Sequence, residues 1–250
     1  MLGLPIDVRA CLLDLDGVLT RTATVHAAAW KEMFDGFLAT LSPPEPPFTP
    51  GDYDRYVDGR PRLDGTRAFL ASRGIALPEG TEDDPAGATT VHGLSTRKND
   101  LVLARIEAGG VEVYEGTVRY VRAARAAGLA TALVSSSANA VPVLEGAGLL
   151  ELFDTVVDGR DVVERGLEGK PAPDTFLFAC ERLGVGPAGA AVFEDALAGV
   201  EAGRAGGFGL VVGVDRVGQA EELRRLGADV VVRDLSELLD DEGEGGREVS

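Results

Sequence analysis

The chain has 250 residues, enough for one large domain or for an ordinary core carrying a smaller inserted one. Its 41 acidic residues against 24 basic give a net charge of -17, which argues against nucleic acid as a partner but leaves room for a small phosphorylated ligand handled by local cations and a metal. Two cysteines, Cys11 and Cys180, make no disulfide framework and read as buried free thiols in a reducing cytoplasm; no basic leader with a long apolar run and no membrane span of about 20 apolar residues is expected.

In chain order, the first element is the apolar run Val8–Leu13, which stops at Asp14-Leu15-Asp16-Gly17 and reads as a buried parallel strand. The next stretch changes rhythm. Helical patterns cover Val25–Leu38, Gly65–Arg73 and Arg97–Glu107, interrupted by the proline-rich segment Ser42–Pro50 and the acidic, exposed loop Thr81–Thr89. Strand patterns then return at Ala130–Val134, Ala190–Phe193, Leu210–Val214 and Asp229–Val232. They alternate with helices over Thr117–Ala127, Asn139–Ala147, Asp174–Leu183, Ala196–Ala205 and Gln219–Leu226, several of which stop at a glycine. This alternation predicts an α/β fold, a doubly wound parallel sheet with helices on both faces. The expected organisation is a core of residues 1–23 and 109–240, an inserted α-helical cap over 24–108, and a disordered acidic tail over 241–250.

Four clusters carry chemistry. Asp14 and Asp16 leave an apolar strand together, and Gly17 permits a sharp turn, so both carboxylates can approach one ligand at a strand end; an acidic strand exit without function is the competing reading. Ser135-Ser136-Ser137-Ala138-Asn139 follows a second strand and opens a helix. This makes a phosphate cradle, or a plain helix cap. Lys170 is stiffened by Pro171 and Pro173, with Asp174 placed to cap the next helix; a solvated loop lysine is the alternative. Glu194 and Asp195 end another apolar strand, where hard oxygen ligands could hold Mg²⁺ or Asp195 could cap a helix. Each cluster is weak alone. Four of them at the strand exits of one sheet, with complementary charge, point to phosphoryl transfer.

In this order the motifs resemble the haloacid-dehalogenase-like phosphotransferase superfamily, and within it the β-phosphoglucomutase family. The core resemblance runs through Asp14–Thr20, Ser135–Asn139, Lys170–Asp174 and Glu194-Asp195. In the cap it runs through Thr22, His26, Ala29-Trp30-Lys31, Gly59-Arg60-Pro61-Arg62 and Arg97-Lys98-Asn99-Asp100. The resemblance implies Asp14 as covalent nucleophile and Asp16 as general acid and base. It implies Mg²⁺ on the Asp14 carboxylate, the Asp16 main-chain oxygen and Asp195, with Glu194 supporting. Ser135 and Lys170 would bind the transferring phosphoryl group. Arg62, Ser137 and Asn139 would hold the sugar's other phosphate, with Thr22, His26 and Lys98 lining the substrate cleft. The implied ligand is a sugar phosphate, and the implied protein a monomer.

Read without that resemblance, His26 is a boundary residue of an amphipathic helix, Trp30 belongs to the cap core, and Arg62 and Lys98 are surface cations. His92 has no assigned role. Ala138 departs from the family, which often has a lysine there, and Leu41–Asp58 is longer than in compact members. Ala138 favours a sugar-phosphate phosphatase as the rival reading, because a looser grip on the second phosphate admits water as acceptor.

Overall fold

The computed structural model describes residues 2–239; the tail over 241–250 lies outside the described residues. Six parallel strands form one sheet. They are β1 (Ala10–Leu13), β2 (Ala130–Val134), β3 (Thr155–Val157), β4 (Ala190–Glu194), β5 (Leu210–Val214) and β6 (Val230–Val232), in the order β3-β2-β1-β4-β5-β6. The order reverses direction at β1, which pairs in register with β2 on one side and β4 on the other. In open α/β sheets that reversal opens a crevice at the carboxyl ends of the strands, and Asp14 stands there.

The strands are apolar on both faces, and the two-residue side-chain period sorts their residues into two cores. Cys11, Leu13, Leu133, Phe193 and Val212 meet Val118, Tyr120 and Val121 of α5 (Glu115–Ala126) and Leu144 of α6 (Ala140–Gly146). Leu12, Ala132, Val134 and Val192 meet Phe176 and Cys180 of α8 (Asp174–Leu183) and Ala202 of α9 (Leu197–Ala205). Both cysteines are buried free thiols. On β5 and β6 packs α10 (Ala220–Leu226).

Between β1 and α5 lies the helical insertion: α1 (Ala23–Leu38), the short α2 (Pro50–Asp52) running into a π-turn over Tyr53–Val57, α3 (Arg62–Ser72) and α4 (Val91–Gly109). It has an apolar cluster of its own, in which Trp30, Phe34, Phe48 and Phe69 stack around Met33 and Leu94. No helix among the described residues is long and apolar enough to cross a membrane.

Several local expectations need correction. The strand β3 and helix α7 (Gly159–Arg165) carry no strong periodic pattern. β3 opens on Thr155 and offers only two successive apolar residues, and α7 is set by a capping box between Asp158 and Asp161. Helix α4 begins at Val91, six residues before the expected Arg97, because Thr90 caps it by accepting from the Gly93 N–H at 2.9 Å. Asp174 does not cap α8; Pro173 takes that place, and the Asp174 carboxylate accepts from the Glu168 N–H at 3.1 Å. Asp195 and Asn139 make no side-chain cap either, which leaves the Asp195 carboxylate available for other chemistry.

Candidate active site

The Asp14 main chain still belongs to the sheet, its N–H donating to the Phe193 carbonyl at 3.0 Å. Its side chain therefore leaves from a rigid position at the crevice. The Lys170 ammonium, itself fully enclosed, donates to Asp14 Oδ1 at 2.6 Å, to the Val134 carbonyl at 3.0 Å and to Glu194. Three strand ends thus converge on one cation. Burial pushes the Asp14 carboxyl up and Lys170 opposes that shift; burial pulls Lys170 down, but Asp14 and Glu194 win and its pKa is raised. Two buried acids sharing one ammonium leave net negative charge in a low-dielectric site.

Carboxylate oxygens of Asp14, Glu194 and Asp195 lie within 4.8 Å of one another. Asp195 is only 8% exposed, yet no described residue donates to its carboxylate. A buried acceptor without a donor calls for a cation, and an all-oxygen anionic set fits a hard divalent ion. Gly17 closes the other side: its φ is 90°, and a Cβ there would fall 1.8 Å from Asp195 Oδ2. Any side chain would occupy the acid's place.

Asp16 sits apart from this carboxylate cluster. Its Oδ1 accepts from the Thr22 hydroxyl and faces His26 Nε2 at 3.6 Å. Behind it runs a polar chain, Thr20 Oγ1 to Thr22 Oγ1 at 2.6 Å, with Thr20 Oγ1 also 3.1 Å from the Leu15 carbonyl. His26 Nδ1 lies 3.0 Å from Lys98 Nζ, and that ammonium stands 4.9 Å from the Trp30 ring centroid. Burial lowers both groups, His26 to about 4 and Lys98 to about 7. A neutral imidazole then accepts from Lys98 at Nδ1 and turns its Nε2–H toward Asp16. Trp30 belongs both to the cap core and to the cleft wall.

The far end of the cleft is built from both parts of the chain. Asn99 Oδ1 accepts from Arg62 Nη1 at 2.5 Å and from Asn139 Nδ2 at 3.0 Å. Arg62 Nε is buried with no partner, a donor left over beside the loop of Ser137 and Asn139. Ser135 is buried, and its Oγ accepts from the Ser137 N–H at 3.1 Å. Ser136 Oγ crosses to the helical insertion and donates to the Gly59 carbonyl at 2.7 Å.

Of the residues singled out in the sequence, Asp14, Asp16, His26, Arg62, Lys98, Ser137, Asn139 and Asp195 line one cleft, while Thr22, Ser135, Lys170 and Glu194 stand outside its lining and join it through hydrogen bonds. Three others were not singled out. Asn99 stood inside a quoted motif, and only the fold shows it joining Arg62 to Asn139. Tyr53 and Asp58 come from the extended Leu41–Asp58 segment and line the cleft beside Asp16 and Asp195. Burial first, then the charges of Glu194, Asp54 and Asp16, push Asp58 up to about 7, against the pull of the Tyr53 hydroxyl. No sequence pattern marks this pair. His92 faces Glu79 at 3.9 Å, away from the cleft.

A doubly wound parallel sheet, a buried acid–lysine–acid cluster at its crevice and a helical roof define the architecture of an α/β phosphotransferase or phosphohydrolase. The chain belongs to the haloacid dehalogenase-like hydrolase family, whose sequence model matches residues 8–207. It is 55% identical over 247 residues to a β-phosphoglucomutase of Mycobacterium bovis, covering 96% of this chain and 94% of that one. It is 32% identical to the β-phosphoglucomutase of Bacillus subtilis, covering 92% of each. A crystal structure of β-phosphoglucomutase from Clostridium difficile superposes with a TM-score of 0.75 over 92% of this chain and 93% of that one, at 23% identity, a likeness of fold.

Proposed function

We propose that this chain is a β-phosphoglucomutase, interconverting β-D-glucose 1-phosphate and glucose 6-phosphate through a bisphosphate and a phosphorylated Asp14. The observation that carries the reading is a cleft with a basic side chain at each end. Asp14 and Lys170 stand at one, and Arg62 with its spare Nε–H stands beside Asn99 and Asn139 at the other. A bisphosphate that must present either phosphate to one nucleophile needs such a second seat.

In this reading the Asp14 carboxylate attacks phosphorus in line, and Lys170 and Ser135 hold the phosphoryl oxygens. Asp16 gives a proton to the leaving oxygen and takes one from the attacking hydroxyl, its orientation held by Thr22 and His26. Asp14, Asp195 and the main-chain oxygen of Asp16, with Glu194 supporting, would hold Mg²⁺, which neutralises charge between carboxylate and phosphate. Arg62, Ser137 and Asn139 hold the distal phosphate, and Lys98 reaches the sugar. The cap, residues 24–108, closes on a core of residues 1–23 and 109–240 and keeps water from phosphorylated Asp14. We assign the protein to a reducing cytoplasm, which suits two buried free thiols.

The test is purified protein with Mg²⁺, β-glucose 1-phosphate and a trace of the 1,6-bisphosphate. Glucose 6-phosphate should form; steady phosphate release without isomer would reject the mutase. Ala138 favours that second outcome. Its methyl adds no cation to the distal seat, and a loosely held sugar leaves phosphorylated Asp14 to water.

A further inference from the structure

Among the acids lining the cleft, Asp58 is the one supplied by the helical insertion. Its place is set by backbone. The Asp58 N–H donates to the Tyr53 carbonyl at 3.0 Å, closing the π-turn, a wide turn often found at functional sites. Gly59 follows with φ 69°, and a Cβ on it would come within 2.8 Å of the Ala196 Cβ. The Gly59 carbonyl also receives the Ser136 hydroxyl. Asp58 and Asp195 are therefore each one residue from a close approach of roof to core.

Both side chains line the same cleft, Asp58 from the insertion and Asp195 from the core. No described residue donates to the Asp195 carboxylate, as noted above. Two acids lining one cleft from the two sides of a seam, with no described donor to the Asp195 carboxylate, repel each other when ionised unless something positive lies between them. A hydrated dication meets that need. The core acids take its inner positions, and an acid farther out accepts a hydrogen bond from its water.

We propose that Asp58 is the roof's acceptor for the water shell of the cation held by Asp14 and Asp195, so that cation occupancy and roof closure stabilise each other. The inference rests on the metal reading above and adds a residue to it. Linkage makes the coupling reciprocal: whatever closure gains from the cation, the cation gains from closure. Without a cation, Asp58 opposes closure; with one, it favours closure.

The experiment measures thermal unfolding of the full chain with and without saturating MgCl₂, and Mg²⁺ affinity by calorimetry, in wild type, Asp58→Asn and Asp58→Glu. Removing the charge should raise the melting temperature of the cation-free protein, because a repulsion is gone. It should shrink the Mg²⁺-induced increment and weaken Mg²⁺ binding about 10-fold, the usual cost of losing an outer partner of a metal site. Asp58→Glu, which keeps the charge, should retain most of the increment. A lower cation-free melting temperature with Mg²⁺ affinity within about twofold of wild type would make Asp58 a packing residue and overturn the proposal. Unchanged values throughout would overturn it too. A wild type that does not respond to Mg²⁺ would sink the metal reading and this inference together.

Discussion

Lys170 Nζ lies 2.6 Å from Asp14 Oδ1, although the two residues are 156 positions apart in the chain. The same ammonium reaches Glu194, so one cation ties β1, the β2 exit and β4 together at the crevice. Lys170 is thereby a structural residue as well as a chemical one. Lys170→Met should destabilise the protein by about 3–5 kcal/mol, since it leaves two buried acids without their partner. Part of that loss should return on adding MgCl₂; denaturant unfolding with and without the salt measures both.

Asp14→Asn keeps the shape of the side chain and removes the nucleophile. Isomer formation should fall by at least about 10³-fold, with Mg²⁺ present and the fold intact by circular dichroism. Wild type incubated with a bisphosphate should gain one phosphoryl group by intact-mass measurement, and the variant should gain none.

Asn99 holds Arg62 and Asn139 at one oxygen. Asn99→Ala should leave both donors unaligned and raise KM for the sugar phosphate about 10-fold, the worth of a hydrogen bond to a charged group. If the far seat also decides whether water or sugar takes the phosphoryl group, the ratio of free phosphate to isomer should rise. A coupled glucose 6-phosphate assay run beside a phosphate assay reads both.

Lys98 titrates near neutrality because burial lowers it to about 7. As pH rises through that value the cleft loses a positive charge, so affinity for an anionic sugar should fall, measured as KM between about pH 6 and 8. Stability runs the other way. Between about 7 and the ordinary lysine range the unfolded chain binds the extra proton, so this residue's contribution to stability rises with pH. Lys98→Met should therefore weaken the KM dependence and raise stability at neutral pH by about 1 kcal/mol or more.

Gly59→Ala should disturb the seating of the roof. The position needs a positive φ, and its new methyl would press on Ala196. We expect kcat to drop about 10-fold or more while the helical insertion keeps its own aromatic cluster. A melting curve close to wild type beside that loss would place the effect at the seam.

The chain itself determined the sheet. Five of six strands follow from apolar runs, because a strand buried on both faces must be apolar at every position, and such runs are visible without partners. It also determined the first acids, the serine loop, the lysine and the later acids, because strand exits in such a fold share one edge. The strand β3 and the start of α4 escaped, since β3 opens on Thr155 and offers only two successive apolar residues, and a single threonine cap outweighs weak periodicity. What tertiary structure alone decided is which groups meet across the seam. Asn99 joins Arg62 to Asn139, His26 stands between Asp16 and Lys98, and the π-turn carries Tyr53 and Asp58 over the core acids. Those meetings depend on how two separately packed clusters dock. Docking is fixed by a glycine's φ and by contacts between residues distant in the chain, which no local periodicity records.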